Sequence, residues 1–371
     1  VVPRVLKTAK YIKNNPRLWQ GFLKSIIFIW WIVIFPLLLL YKLSIFVLQK
    51  RKNKFTALTQ IINNEDIIVA TTPRVYEVIR RLTKKERPQI WLTVPWVQAS
   101  ISIEDKELKL FTLVTYSDMY WSIKMSWLGA SEFSKKSNFT EDCLQTYTAP
   151  DWFLVWVVFE KINVHVKKWW IANHQDRWAV LIDGVQGNEE KTMVVQHGKF
   201  VQNFKFPYLL KNIYKIYCFN QSEYKLFCQN YIIHTCIPIW QNLPSKFDLQ
   251  PIIIPSNKEY SILIISQPVS IQKEIEVTLS LLEHFSGISI YYKPHPLFLN
   301  SMNFYLDNIK KTSNETINMI NDKSFYPKVD IAITYNSTLG LEYEASGISV
   351  VWLDKISLKQ ATEIIKLKLN L

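Results

Sequence analysis

Cysteine is scarce in this chain and shows no metal-binding pattern. Cys143, Cys218, Cys228 and Cys236 form no CxxC pair and have no histidines at zinc-ligand spacing, which excludes the common zinc modules and offers no disulfide framework. Reduced structural thiols in a cytoplasmic compartment are the expectation. Internal repeats and low-complexity tracts are also missing, and an apolar share of 49% rules out a disordered chain.

The most informative absence is of acid. Residues 1–54 hold eleven Lys and Arg and no Asp or Glu, so most of the net charge of +13 lies there. The rest is close to neutral, with 33 basic against 31 acidic residues, and has no basic face suited to nucleic acid. Inside the basic stretch, Ser25 to Tyr41 runs without a charge, and after Lys42 the apolar pattern resumes before Lys50-Arg51-Lys52. That length is at the lower limit for a membrane span. Trp30 and Trp31 suit a headgroup boundary, Pro36 would kink the helix, and the flanking cations suit anionic lipid. Cations on both sides leave the orientation open and favour a monotopic or re-entrant anchor. A buried core helix and a signal sequence, the latter without a small-residue cleavage site, are the alternatives.

At 371 residues the chain is long enough for two cores. Runs rich in β-branched and aromatic residues at 67–72, 90–94, 108–116, 168–173, 192–196 and 215–220 read as strands, with helices over 151–162 and 174–182. Residues 117–150 are read as an acceptor-side insertion. Pro238, Pro244, Pro251 and Pro255 mark an interdomain linker. A second half reads strand 260–266, helix 271–285, strands 288–293 and 330–335, a helix over 338–346, strand 348–353 and a last helix from Ser357. The expected organisation is an anchor over 1–54, an acceptor domain over 55–245 and a nucleotide-donor domain over 246–371, each domain a Rossmann-like α/β fold.

Polar residues cluster just past strand ends, where open parallel sheets bind ligands. In YYKPHP (291–296), Lys293 and His295 are suited to donate to phosphate from a turn stiffened by Pro294 and Pro296. In NSTLGLE (336–342), Ser337 or Thr338 is a helix N-cap, Gly340 permits close approach, and the helix start offers N–H groups to an anion; Glu342 lies one turn in, within reach of ribose hydroxyls. In VVQHGKF (194–200), His197 is suited to act as general base toward an acceptor hydroxyl, flanked by Gln196 and Gly198. Upstream, Asn173, His174, Asp176 and Arg177 follow another strand; Asn173 and His174 would face the acceptor, and Asp176 is either a second catalytic candidate or a local cap.

The KPHP turn, the stretch ITYNSTLGLEYEASGISVVWL and the preceding QHG together resemble the capsule polysaccharide synthesis (Kps-like) glycosyltransferase family. Its relatives are the teichoic-acid glycerophosphotransferases and bacterial sialyltransferases. The likeness covers roughly residues 165–355. It implies two facing Rossmann-like domains of GT-B type, no bound metal or cofactor, and transfer of Kdo, sialic acid or glycerol phosphate from CMP- or CDP-linked donors. By that resemblance His295, Ser337 and Thr338 contact the donor phosphate, Glu342 holds the ribose and His197 lies near the transfer site. Ile182-Asp183-Gly184 carries one acid where the sialyltransferases carry two, and Tyr335-Asn336-Ser337-Thr338 replaces the tyrosine-serine-serine run of the teichoic-acid enzymes. Sugar transfer from a CMP-linked donor to a lipid-linked or growing glycan, at the cytoplasmic face of the inner membrane, is the leading expectation. A CDP-glycerol-type glycerophosphotransferase, a sugar-nucleotide epimerase and a non-catalytic assembly scaffold are the alternatives.

Overall fold

A computed structural model describes residues 25–52 and 65–369. Within those bounds 84–89, 94–100, 102–103, 137–145, 173–176, 188–190, 201–207, 245–246, 268–269, 296–304, most of 306–316 and a few single positions are left undescribed. The chain divides into two compact units, Val1–Tyr76 with Lys85–Thr192, and Glu77–Lys84 with Met193–Leu371.

Two parallel sheets organise the fold. The first has seven strands in the order β3-β2-β1-β4-β5-β6-β7: β1 Glu65–Ala70, β2 Ile90–Thr93, β3 Lys106–Lys109, β4 Val166–Ile171, β5 Thr192–Val195, β6 Ile213–Cys218 and β7 Ile239–Asn242. The second has five in the order β10-β9-β8-β11-β12: β8 Tyr260–Ile265, β9 Ile288–Lys293, β10 Asn318–Met319, β11 Ile331–Thr334 and β12 Ser349–Trp352. The expected Rossmann-like α/β architecture is therefore present. Its central strands are largely apolar runs because parallel strands there are covered on both faces, whereas the edge strands β3 and β7 are mostly or wholly exposed. In the second sheet Ile262 and Ile264 join one core with Val277, Leu281 and Ile365, while Leu263 and Ile265 join another with Tyr343 and Val350. Adjacent residues thus point to opposite layers, and each layer needs its own helices.

Those helices are α1 Ser25–Lys52, α2 Pro73–Leu82, α3 Tyr116–Lys136, α4 Ala149–Asn163, α5 Arg177–Val185, α6 Gln221–Tyr231, α7 Ile271–His284, α8 Thr338–Ala345 and α9 Leu358–Leu369. Three readings change. The strand expected over 108–116 ends at Lys109, because Leu110, Phe111 and Leu113 are all buried, and a helical turn over Leu110–Leu113 achieves this where an alternating strand would not. Residues 117–150 hold a 21-residue helix, α3, opened by a reciprocal cap: the Asp118 carboxylate accepts from the Thr115 backbone N–H at 2.6 Å, and the Thr115 hydroxyl accepts from the Asp118 N–H at 3.2 Å. Within the proline-marked linker, Ile239–Asn242 forms edge strand β7, which is exposed throughout.

The apolar segment forms the single long helix α1, with one wider π turn over Trp30–Ile34 just before Pro36. Among the described residues it is the one helix long and apolar enough to cross a membrane. It does not stand free. Phe35, at 0% exposure, lies in a ring cluster with Trp31 and with Trp127 of α3, 5.1 and 6.0 Å between centroids. Lys42 forms a 2.6 Å ion pair with Asp151 of α4, and Trp30 Nε1 donates to Thr146 Oγ1 at 3.3 Å. The core-helix alternative is therefore right for one side of this segment. Phe35→Ala should lower the unfolding free energy by about 3 kcal/mol through the cavity it leaves, whereas Phe28→Ala on the outer side should change it little. Equal effects in denaturant titrations would refute this packing.

Candidate nucleotide-binding site

The second unit contains the QHG turn, the strand end after β9 and the helix start after β11. In its five-stranded sheet the chain runs from β8 to β9 and β10 on one side and to β11 and β12 on the other. The crevice at the carboxyl ends of β8 and β11 is thus a topological switch point, the place where open α/β sheets bind ligands. Ser337 stands there as the N-cap of α8, with backbone φ −70° and ψ 140° and its hydroxyl accepting from Leu339 N–H at 3.3 Å. Its own N–H donates to Thr334 Oγ1 at 3.3 Å, which ties the helix start to the end of β11.

Gly340 has a packing reason. A Cβ there would sit 2.7 Å from the Trp352 ring and 2.8 Å from the Thr334 methyl, so glycine is what lets α8 lie on β11 and β12. Gly340→Ala should cost about 1–3 kcal/mol by overpacking, and Trp352→Leu should recover much of the loss. A thermal scan showing no loss for Gly340→Ala would contradict this contact.

Glu342 is buried inside α8, at 2% exposure. His295 follows β9 and is half-buried. Lys293 is buried, and its ammonium donates to the carbonyls of Asp322 at 3.0 Å and Phe325 at 2.7 Å while lying 4.7 Å from the Tyr326 ring centroid. Its protons thus tie the carbonyls of Asp322 and Phe325 to the end of β9. Burial lowers its pKa to about 8 from 10.5, against the opposing pull of Asp322. Between those values the unfolded chain binds more protons than the folded one, so the contribution of this lysine to stability rises with pH across the window. The unfolding free energy of the wild type relative to Lys293→Met should therefore grow from pH 8 to 10.5. A flat or falling difference would exclude a depressed lysine.

The QHG turn is built from beneath. Gln196 is fully buried; its amide nitrogen donates to Gly198 O at 2.8 Å and to Glu223 Oε2 at 2.6 Å, and its Oε1 accepts from Phe219 N–H at 3.1 Å. Glu223 Oε2 also accepts the Phe200 N–H at 2.9 Å, and burial raises this carboxyl above the ordinary range despite those bonds. Gln196 therefore shapes the loop that presents His197, which is half-buried. A Cβ on Gly198 would lie 3.9 Å from Thr338 Oγ1. Lys199 pairs with Asp354 at 3.2 Å and lies over the Trp352 ring at 3.8 Å, and Asn220 Nδ2 donates to Glu344 Oε2 at 3.1 Å. The turn carrying His197 and the helix start carrying Ser337 and Thr338 are thus adjacent.

Sequence reading missed Glu223 and a similar brace under the turn after β8. Glu274 Oε1 accepts from Gln267 N–H at 2.8 Å and Ser270 Oγ at 2.7 Å, while Tyr292 Oη donates to Ser266 Oγ at 2.6 Å. Burial raises the Glu274 carboxyl also. Asn173, His174 and Asp176 lie outside the described residues. In the first unit Asp183 is buried in α5, and a Cβ on neighbouring Gly184 would come within 2.9 Å of the Trp156 ring, so that Asp-Gly pair belongs to helix packing. Among the described residues no three His, Cys, Asp or Glu side chains are grouped to hold a metal ion.

No protein-family model matches the chain, and no curated protein matches it significantly. Solved structures do align. The UDP-GlcNAc 2-epimerase of Neisseria meningitidis bound to UDP-GlcNAc is 10% identical with a TM-score of 0.40, covering 81% of this chain and 85% of its own. Acinetobacter baumannii MurG is 10% identical with a TM-score of 0.39, covering 82% and 90%. The Thermobaculum terrenum O-GlcNAc transferase is 9% identical with a TM-score of 0.31, covering 80% and 54%. Likenesses of this size carry no activity to this chain.

Proposed function

We propose that the chain is a membrane-attached glycosyltransferase of GT-B type that takes a nucleotide-activated sugar as donor, CMP-linked Kdo or sialic acid being favoured, and serves bacterial surface polysaccharide synthesis. The observation that carries the reading is the juxtaposition of the His197-Gly198 turn with the Ser337-Thr338 helix start. A helix N-terminus offers N–H groups to the donor phosphate, and an imidazole stands beside it in the His197-Gly198 turn. In this reading Ser337, Thr338 and His295 hold the phosphate, while Glu342, expected to reach the ribose, is buried within α8 and would need the helix start to shift before it could do so. Lys293 and Gly340 shape the strand ends on which those groups stand.

His197 takes the proton of the acceptor hydroxyl as that oxygen bonds to the anomeric carbon. The bond from the anomeric carbon to the phosphate oxygen breaks, and the nucleotide leaves with the electron pair. The acceptor is a lipid-linked or growing glycan, and attachment at the cytoplasmic face of the membrane raises its effective concentration. The resemblance of KPHP and NSTLGLE to the capsule family supports the CMP-linked class.

The test is released nucleotide from a panel of CMP-, CDP-, UDP- and GDP-linked donors. His295→Ala should weaken donor binding more than tenfold, since a charge-assisted bond is worth roughly 1.5–3 kcal/mol. His197→Ala should retain donor binding and lose about two to four orders of magnitude in turnover. Epimerised donor formed without acceptor would replace transfer with epimerisation, and release of CDP with glycerol phosphate transferred would select the glycerophosphotransferase alternative.

A further inference from the structure

The long apolar helix has two faces. Ile27, Phe35, Leu39, Phe46 and Lys50 are buried one or two helical turns apart, so they form one packed stripe along the helix. Its partners include Ala130 and Trp127 of α3, while Lys50 Nζ donates to Phe111 O at 3.3 Å. The other side presents Phe28, Leu37 and Leu40 to solvent, at 60–66% exposure. Helix α3 continues this surface: Tyr120, Leu128 and Phe133 are exposed on it, and Trp127, itself exposed, touches Trp31 and Phe35 of α1. The apolar surfaces of the two helices meet at that ring.

We propose that α1 and α3 together form one membrane-docking face that lies in the plane of an anionic bilayer. This deepens the membrane attachment stated above by giving it an orientation and a second helix. A helix of 28 residues is about 42 Å long, more than the roughly 30 Å of a hydrocarbon core. If it crossed the bilayer, its packed stripe would carry the Lys42–Asp151 pair and the start of α4 into lipid, a costly placement for charge. Lying flat, it leaves those groups on the protein side and inserts only the exposed apolar side chains. The rim supplies the charge complementarity: Arg51 and Lys52 end α1, which has no acid, and on α3 Lys124 and Lys136 are exposed, as is Lys135, which pairs with exposed Glu132 at 3.6 Å, so the balance of the rim is basic. Such cations attract anionic headgroups, and two copies of the face would instead bring like charges together.

The full chain is floated with phosphatidylcholine vesicles with and without phosphatidylglycerol. Binding should favour the anionic vesicles and weaken as salt rises. The triple variant Tyr120→Ser, Leu128→Ser, Phe133→Ser should keep its circular dichroism and melting temperature and lose about tenfold or more in vesicle partition. A photoactivatable probe confined to the acyl chains should label peptides from both 25–52 and 116–136. Labelling confined to 25–52, with partition of the triple variant unchanged, overturns the shared face and leaves attachment through α1 alone. A wild-type chain that stays off all vesicles overturns membrane attachment itself, and one that then dimerises through this face assigns it to a second copy. These readouts need no donor, so they stand apart from any failure of the transferase assignment.

Discussion

Both sheets are parallel in every pair whose register is resolved, and that constraint governs the rest of the molecule. Parallel strands are joined by crossovers, and the crossovers bury both faces of the sheet. Polar groups are then left only at the strand ends, and a turn there must be held by something other than the ladder. The two buried glutamates supply the hold. Glu223, in the first turn of α6, accepts the backbone N–H of Phe200 after β5; Glu274, in the first turn of α7, accepts that of Gln267 after β8. Each takes a carboxylate out of water to satisfy a backbone donor, and its raised pKa is the electrostatic cost of that position.

This device explains what could be read in the sequence and what could not. Continuous apolar runs such as IIVA and SILIIS announce strands buried on both sides, and turn motifs such as KPHP and NSTLG announce their ends. The braces give no such signal, because a glutamate in the first turn of a helix looks like an ordinary partner of the helix dipole. Gln196 was legible as a neighbour of His197 and illegible as a full set of hydrogen bonds beneath it. Gly340 and Gly184 were visible, but the rings of Trp352 and Trp156 that require them come from distant parts of the chain. Strand β7 has no buried residue and so no apolar pattern to find.

Helix α3 was hidden for a more interesting reason. Its buried stripe is Met119, Ser122, Ser126, Ala130 and Ser134, and its exposed side carries Tyr120, Trp121, Trp127, Leu128 and Phe133 among Lys124, Glu132, Lys135 and Lys136. Small polar residues inside and large apolar ones outside blur the pattern by which a water-facing helix is recognised. The buried serines spend their hydroxyls on carbonyls one turn back, at 2.5–2.9 Å, which removes their polarity from the interface and permits close packing, as small residues do between helices in lipid. It is this arrangement, beside a long apolar helix, on which the proposed membrane-docking face is built.

The same packing decides what kind of attachment α1 can provide. A tether acts through its slack, so its effective concentration depends on a linker's reach. Here the helix is fixed at three points along its length, through Trp30 to Thr146, Lys42 to Asp151 and Lys50 to the Phe111 carbonyl. These contacts leave no slack between α1 and the unit that carries it. Docking through the outer face of α1 would therefore set the tilt of that unit against the lipid surface as well as its distance, and a lipid-linked acceptor would meet it from one side only.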